Sequence, residues 1–193
     1  MKWMKKRKWI RLLSVALVAG ILTVGCGAKK DASGEEKTGT EKSETAKTES
    51  DATEDKTAIS GKHHVEINVK DYGTIKVELD ADTAPITVEN FMTLAEDGFY
   101  DGLTFHRIID GFMIQGGDPN GNGTGGSDTK IKGEFEGNGV KNDISHVRGT
   151  ISMARSSAND SASSQFFIVQ SDSQYLDGEY AGFGTVTEGM EIV

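Results

Sequence analysis

The chain has 193 residues, and its 30 acidic and 21 basic side chains give it a formal net charge of −9 at pH 7. An acidic surface repels phosphate backbones, so this charge argues against a nucleic acid as partner. The single cysteine excludes an internal disulfide, and the length allows one domain with appendages or two small domains.

The first 25 residues have the composition of a secretory leader. Residues 1–26 carry no acidic side chain and six basic ones: Lys2, Lys5, Lys6, Arg7, Lys8 and Arg11. The apolar run from 12 to 25 is too short to span a bilayer, which needs about 20 residues. A charged head, a short apolar body and small final residues are typical of a signal peptide. We therefore predict a signal peptide over residues 1–25, and removing its six positive charges from −9 leaves −15.

The leader ends in the letters LTVGC at 22–26, and this segment resembles a bacterial lipobox. The lipobox pattern prefers leucine three places before the cysteine, where this chain has Thr23, with Leu22 one place earlier. The resemblance implies lipidation of Cys26, because a diacyl anchor supplies the two chains that stable membrane attachment requires. We therefore expect an extracytoplasmic protein anchored to the cell membrane. The alternative is ordinary secretion, with Cys26 discarded or left as a free thiol.

A polar segment separates the leader from the rest of the chain. Residues 27–62 are almost all Lys, Glu, Asp, Ser, Thr, Ala and Gly, and Ile59 is their only large apolar side chain. Such a composition cannot bury a core. We predict that residues 26–62 form a disordered tether that starts at the lipidated cysteine, and that one domain occupies residues 63–193.

The domain is expected to begin with a hairpin and a helix. Residues 65–70 and 74–79 alternate between apolar and polar side chains, and a turn at 71–73 separates them, which indicates a β-hairpin. Pro85 stands where a helix would begin, apolar residues follow at helical spacing, and Gly98 ends the pattern. We predict one helix near 85–97.

The stretch from 105 to 126 places one cation, Arg107, among apolar and aromatic residues. The alternation in GFMIQG predicts a short strand with Phe112 and Ile114 on one face and Met113 and Gln115 on the other. A glycine-rich loop follows through residue 126. An arginine beside an apolar wall and an amide is typical of a peptide-binding surface, and the stretch contains no nucleophile and no acid–base pair.

Further short strands are expected near the end of the chain, at 149–154 (GTISMA), 165–169 (QFFIV) and 183–186 (FGTV). In the pair at 166 and 167, Phe166 should face the core and Phe167 the opposite side. Many short strands, frequent glycine turns and one helix indicate a mainly β protein with a closed or nearly closed antiparallel β-barrel.

These segments together resemble the cyclophilins, a family of peptidyl-prolyl cis-trans isomerases. The resemblance covers the chain from about Val65 to Val193. It rests on FHRIIDGFMIQGGDP at 105–119 and SQFFIV at 164–169, with APITVENF at 84–91, YLDG at 175–178 and FGTV at 183–186 in support. The loop at 155–164, RSSANDSASS, is more similar to the bacterial members than to the compact eukaryotic ones.

The resemblance implies a catalytic role for Arg107 and a set of residues that bind a proline-containing peptide. The implied proline pocket consists of Phe112, Met113, Phe167 and Leu176, and the residues implied along the substrate backbone are Gln115, Ala154, Arg155 and Gln165. Tyr175 and Tyr180 complete the implied substrate surface; family members often have tryptophan and histidine there, so we expect weak cyclosporin binding.

The implied enzyme needs no cofactor and no metal. Its expected partners are proline-containing peptides and unfolded exported proteins, and the membrane through the lipid anchor. We expect a monomer. A non-catalytic, lipid-anchored module that binds proline peptides on the same fold is the alternative, although a pure binder has no need of Arg107.

Several of these residues also have a purely structural interpretation. Arg107 alone would be read as a surface or salt-bridged arginine, and the pocket phenylalanines could be core residues. His106 could serve as a general base, but a structural role is the stronger interpretation. The pair His63-His64 has no third metal ligand. Glycines 121, 123 and 126 match G-x-G-x-x-G, but no helix pattern follows, so we expect no dinucleotide site.

The resemblance breaks off at Glu188–Val193, where cyclophilins usually begin a second helix that a closing strand follows. We therefore expect residues 65–70 to have an unpaired edge, a barrel that is open along one seam, and marginal stability of residues 63–193. We also expect that this 193-residue sequence is an incomplete gene product.

Overall fold

Seven antiparallel strands and one helix occupy residues 59–193, the part of the chain that the computed structural model describes. The strands are β1 Lys62–Val69, β2 Gly73–Asp80, β3 Arg107–Ile109, β4 Met113–Gly116, β5 Thr150–Met153, β6 Phe166–Val169 and β7 Ala181–Glu188. Helix α1 spans Pro85–Glu96, and short 3-10 helices lie at Glu136–Asn138 and Gln174–Leu176. Within residues 59–193, no helix is long and apolar enough to cross a membrane. The expected signal peptide, Cys26 and most of the tether lie outside the described residues.

The first two strands form the predicted hairpin. Their register places Val65 opposite Val77, and the backbone N–H of Tyr72 donates to the carbonyl of Val69 in the turn. Alternate residues of β2 are buried, because their side chains point to the same face of the sheet: Ile75, Val77 and Leu79. The alternation of the sequence therefore fixes which face of β2 lines the interior.

The strands lie in the order β1-β2-β7-β5-β6-β4-β3 in one sheet. Every pairing is antiparallel, and among the described strands β1 pairs only with β2 and β3 only with β4. The fold is mainly β as predicted, but hydrogen bonds do not close the sheet into a ring. The open edge expected at residues 65–70 is present, and within residues 59–193 the sheet is open along one seam, as expected.

Helix α1 receives its N-terminal cap from a distant loop. Pro85 occupies the first turn, and Ala84 provides no side-chain cap. The buried carboxylate of Glu134 instead accepts hydrogen bonds from the backbone N–H groups of Ile86, at 3.1 Å, and Thr87, at 2.8 Å. These are two of the donors that every helix N-terminus leaves free, and a negative charge is favourable there. Gly98, with a φ of +73°, follows the end of the helix as predicted.

Buried apolar side chains form two separate clusters. The main core lies between the sheet and helix α1 and includes Ile75, Val88, Phe91, Phe166 and Phe183. The second, which we name the pocket cluster, consists of Met113, Phe167, Val169 and Leu176, with Phe112, Ala154 and Tyr180 packed against it. The split between Phe166 and Phe167 agrees with the prediction from strand alternation.

Two local predictions differ from the structure. Strand β7 is longer than the predicted 183–186, since its second half continues the ladder with β2 as far as the pair of Lys76 and Glu188. Phe112 does not share a face with Ile114, because β4 begins only at Met113 and Phe112 lies in the preceding turn. Ile114 belongs to the main core, whereas Phe112 packs against the pocket cluster.

Candidate active site

The β3–β4 hairpin carries Arg107 to the edge of the sheet. Arg107 lies directly opposite Gln115, and Ile109 lies opposite Met113. Because opposed residues of an antiparallel pair point to the same face, the arginine stands over the Met113 and Gln115 side of β4. Its guanidinium carbon lies 5.8 Å from the centre of the Phe112 ring. The central stretch of the sequence therefore folds back on itself to place a cation beside apolar side chains.

A chain of side-chain amides holds the guanidinium. Arg107 Nη1 donates to Gln115 Oε1 at 3.3 Å, and Gln115 Nε2 donates to Gln165 Oε1 at 2.8 Å. Gln165 Nε2 in turn donates to the backbone carbonyl of Gly125 at 2.7 Å. Each amide thus accepts at its oxygen and donates from its nitrogen. This relay fixes the orientation of both glutamines and anchors the exposed arginine to the glycine-rich loop.

The glycine-rich loop is shaped by one buried carboxylate. Asp118 accepts hydrogen bonds from the backbone N–H groups of Asn120, Asn122 and Gly123. Burial raises the pKa of Asp118, but these donors outweigh it and hold the pKa below its usual range. A Cβ at Gly125 would collide with the Asp118 carboxylate, so glycine is required there. No α-helix follows this loop within the described residues.

Arg107 stands at a cavity of about 150 Å³. Nine residues line it: Arg107, Phe112, Met113, Gln115, Ala154, Arg155, Phe167, Leu176 and Tyr180. All nine were singled out from the sequence, and they come from β3, β4, β6, the second 3-10 helix and the segments that follow β3, β5 and that helix. Within this lining, no side chain is a carboxylate, an imidazole, a thiol or an aliphatic hydroxyl.

The other two predicted substrate residues lie next to the cavity and do not line it. Gln165 contributes to the amide relay behind Gln115. Tyr175 is 71% exposed, and its ring lies 6.0 Å from that of Phe112, centre to centre. The Tyr175 ring therefore packs against one of the residues that line the cavity.

Arg155 forms part of the cavity wall, and its guanidinium is already engaged. It lies between the rings of Phe135 and Tyr180, at 4.9 Å from each centre. Its Nε donates to the carbonyl of Glu179, its Nη1 to the carbonyl of Ser156, and its Nη2 contacts the Glu179 carboxylate at 3.3 Å. The Tyr180 ring packs edge-on against Phe167 at 5.8 Å. Arg155 therefore braces the wall, while Arg107 remains the cation that faces the solvent.

A polar group that the sequence did not suggest lies beneath the cavity. The buried imidazole of His146 stacks on Phe167, with ring centres 6.0 Å apart and an interplanar angle of 19°. Its Nδ1 lies 2.8 Å from Asp177 Oδ1, and its Nε2 lies 2.9 Å from Ser152 Oγ. Ser152 and Asp177 lie 6 and 31 residues from His146, and no local spacing pattern brings the three side chains together.

His106 is poorly placed for proton transfer. Both of its ring nitrogens are buried, and neither has a hydrogen-bond partner in the described part of the chain. It does not line the cavity. Within residues 59–193, no three His, Cys, Asp or Glu side chains are grouped so that they could hold a metal ion, and His63 contacts the carbonyl of Ser60 at 3.1 Å.

Comparison with known proteins decides the family. The family model described as cyclophilin type peptidyl-prolyl cis-trans isomerase/CLD matches residues 64–193. The chain belongs to the cyclophilin family. The prediction of a peptidyl-prolyl isomerase is thereby confirmed, and the cation and apolar cavity described above lie in a cyclophilin fold.

Individual cyclophilins match over most of their own length. Peptidyl-prolyl cis-trans isomerase B of Bacillus subtilis (strain 168) is 49% identical over 124 residues, which are 64% of this chain and 83% of that protein. A peptidyl-prolyl cis-trans isomerase of Synechococcus elongatus is 50% identical over 123 residues, 63% of this chain and 80% of that protein.

A solved cyclophilin also matches in three dimensions. The crystal structure of a Cryptosporidium parvum cyclophilin-type isomerase, in the presence of the dipeptide Ala-Pro, has a TM-score of 0.62 and 36% identity. The match covers 67% of this chain and 82% of that one. The mainly β fold of residues 59–193, with its single α-helix, is therefore similar to the fold of a solved cyclophilin.

Proposed function

We propose that this cyclophilin accelerates rotation about Xaa-Pro bonds in exported proteins, with Arg107 as the catalytic residue, and thereby assists their folding. The observation that carries the proposal is the guanidinium of Arg107 in the lining of one cavity together with the apolar side chains of Phe112, Met113, Phe167 and Leu176. The Ala-Pro dipeptide named for the Cryptosporidium parvum structure supports a proline-containing peptide as the ligand.

A fixed cation suits this reaction because of the electronic structure of the amide. Resonance stiffens the C–N bond and gives rotation a barrier of about 18–20 kcal/mol. In the twisted transition state the prolyl nitrogen becomes pyramidal and keeps its lone pair. A guanidinium held near that nitrogen stabilises the twisted form more than the planar one, which is the condition for catalysis.

The apolar lining holds the pyrrolidine ring while the residue before it rotates. No proton has to leave or arrive, so the cavity needs no acid–base pair. The relay from Gly125 through Gln165 and Gln115 orients Arg107 before the substrate arrives. Preorganised donors cost little reorganisation during the reaction, and this supports Arg107 as the residue that contributes the largest share of the rate.

The assay for this proposal compares Arg107→Ala with the wild type in NMR exchange or protease-coupled isomerisation of a Xaa-Pro peptide. Removing one preorganised donor should cost about 2–4 kcal/mol of transition-state stabilisation. Melting and circular dichroism should stay near those of the wild type, since the Arg107 side chain is exposed. Full activity in Arg107→Ala would remove this assignment.

Ile108→Ala is the matched control for that experiment. Ile108 lies on the same three-residue strand and is 68% exposed, but it does not line the cavity. Its substitution should leave kcat/KM within about twofold of the wild type. A loss equal to that of Arg107→Ala would point to disruption of β3 and not to a lost cation. A wild-type protein that binds the peptide without accelerating exchange would favour the binding-module alternative.

The proposed cellular location rests on the sequence before residue 59. A basic head, a short apolar body and Cys26 in a lipobox-like segment support export and a diacyl anchor at the membrane. Expressed in a bacterium, the full chain should partition with membranes. Cys26→Ser should be released or keep its leader, and equal solubility of both proteins would remove the lipid anchor from the proposal.

A further inference from the structure

We propose that His146 is a positioning residue of this isomerase, acting as a neutral imidazole that fixes the Phe167 ring at the floor of the cavity. The inference rests on the proposed function of the cavity, because it assigns a role to the layer beneath it. Three groups meet the imidazole, and each comes from a different segment: Asp177 after the second 3-10 helix, Ser152 on β5 and Phe167 on β6.

The hydrogen bonds determine which ring nitrogen carries the proton. The Asp177 carboxylate only accepts, so His146 Nδ1 must be the donor across 2.8 Å. Nε2 of a neutral imidazole is then an acceptor, and the hydroxyl of Ser152 donates to it across 2.9 Å. Burial lowers the pKa of His146, and the neighbouring Asp177 opposes that effect without cancelling it. The neutral Nδ1–H form satisfies every one of these groups.

The carboxylate that orients the ring is itself held from three sides. Asp177 accepts the backbone N–H of His146 at 2.7 Å and the hydroxyl of Ser145 at 2.7 Å, in addition to the imidazole. Partial burial raises the pKa of Asp177, but the donors outweigh it and lower the pKa overall. Asp177 directly follows Leu176, which lines the cavity. The same carboxylate therefore anchors both the imidazole and the segment that carries Leu176.

The imidazole reaches the substrate site through one ring contact. It lies nearly parallel to Phe167, while Tyr180 meets the same Phe167 ring edge-on. The Phe167 ring is thus fixed from below and from the side, and its remaining surface faces the cavity. A side chain at position 146 that cannot hold both hydrogen bonds would let the Phe167 ring tilt, and the grip on a proline ring would weaken.

Protonation of His146 would disturb the arrangement. Nε2 would become a donor toward Ser152, whose hydroxyl hydrogen would need another acceptor in a fully buried position. Within residues 59–193, the titratable side chain in contact with the imidazole is Asp177, while β5 and β6 present a hydroxyl and a phenyl ring. We therefore expect the wild-type kcat/KM to fall on acidification below the ordinary imidazole pKa of 6.5, once the ring is charged, and to have no such dependence at neutral pH.

The first test compares His146→Gln with the wild type at low temperature, where both are folded by circular dichroism. The expected result is a five- to twentyfold fall in kcat/KM that appears mainly as a higher KM, because the ring is gripped in ground and transition states alike. Ile75→Ala, a main-core variant, should lower the melting temperature and leave kcat/KM within twofold. Wild-type kinetics in a folded His146→Gln would overturn the proposal.

A double-mutant cycle tests the route through Phe167. In a Phe167→Leu background, His146→Gln should change kcat/KM by less than twofold, because the contact that transmits its effect is already lost. Fully additive losses would mean that His146 acts in some other way. A folded His146→Gln with normal kinetics beside an inactive Arg107→Ala would end only this proposal, whereas normal kinetics in Arg107→Ala would end the proposed function.

Nitrogen NMR of the wild-type protein gives an answer that no folding defect can obscure. At pH 7 the imidazole of His146 should be in the Nδ1–H form, with Nε2 unprotonated. An Nε2–H form or a doubly protonated ring at that pH would contradict the hydrogen-bond assignment. On acidification, the Phe167 ring resonances should shift together with those of His146. Phe167 resonances that do not follow the protonation of His146 would overturn the positioning role.

Discussion

The main core and the pocket cluster are both buried and apolar, but they are built differently. Seventeen buried residues of the described chain form the main core, whereas four form the pocket cluster. The main core is held mainly by contacts among its own aliphatic and aromatic side chains, such as the 5.4 Å ring pair of Phe91 and Phe183. The pocket cluster is small, opens on a cavity and rests on hydrogen-bonded polar groups beneath and beside it.

This difference separates stability from activity. Burial of apolar area is the dominant favourable term in folding, so the larger cluster should determine most of the free energy of unfolding. The pocket cluster buries little area, and its value lies in the position of each ring relative to Arg107. Substitutions in the two clusters should therefore have opposite profiles, and the predictions below follow from that contrast.

Phe183→Ala should have the largest effect on stability. Phe183 is fully buried in the main core, and truncating a buried phenylalanine costs about 3–5 kcal/mol in free energy of unfolding. Because Phe183 does not line the cavity, kcat/KM per folded molecule should stay within about twofold. Urea unfolding and an isomerase assay at low temperature measure both quantities. A large fall in kcat/KM of the folded fraction would show that the two clusters are not independent.

Leu176→Ala should have the reverse profile. Leu176 lies at the edge of the cavity, where the lost side chain is partly replaced by water, so the cost in stability should be about 2 kcal/mol, at the low end for buried leucine. The apolar contact with the proline ring is lost in ground and transition states, so KM should rise about tenfold, or roughly 1.4 kcal/mol. An unchanged KM with a large loss of stability would place Leu176 functionally in the main core.

Stability should fall on acidification, and the pocket side contributes to that fall. Burial holds the pKa of His146 below its ordinary value of 6.5, so between that value and the lowered one the unfolded chain binds a proton that the folded chain does not. The free energy of unfolding therefore decreases as pH falls through this window. Denaturant unfolding at pH 7, 6 and 5 measures it, with His146→Gln as the control. A wild type that gains stability toward pH 5 would contradict the sign.

The smallest expected effect is the response of catalysis to pH above 6. Arginine keeps its charge throughout the accessible range, and the cavity lining offers no acid–base pair. The profile of kcat/KM should therefore be nearly flat between about pH 6 and 9. A bell-shaped profile in that range would instead require a titrating catalyst such as His106, despite its buried nitrogens.

Local patterns in the sequence were sufficient for most of the fold. The β1–β2 hairpin, helix α1 and strands β4 to β6 follow from periodicity, proline and glycine positions, because their boundaries are determined by neighbouring residues. The face of Phe112 was predicted wrongly, since the turn at Gly111, with a φ of +71°, includes Phe112, and the strand alternation begins only at Met113. The extent of β7 was underestimated because its last residues are polar, and they pair only through contact with the distant β2.

The lining of the cavity was predicted through the resemblance to cyclophilins and not through periodicity. The supporting layer could not be predicted in either way. His146, Ser152 and Asp177 meet only after the second 3-10 helix folds onto the sheet, and Glu134 reaches helix α1 across 47 residues. A buried histidine between two polar partners has no signature in the sequence when those partners lie 6 and 31 residues away.

The cap that Glu134 provides for helix α1 has a consequence for the order of events in folding. The first turn of the helix has no local cap, so its free N–H groups at Ile86 and Thr87 are satisfied only after the loop that carries Glu134 has closed over them. Contacts of such long sequence separation pay their loop-closure entropy before they return any stability. We therefore expect Glu134→Ala to accelerate unfolding while leaving the folding rate almost unchanged, as stopped-flow kinetics would measure. The beginning of helix α1 would then be among the last parts of the sheet–helix unit to become native.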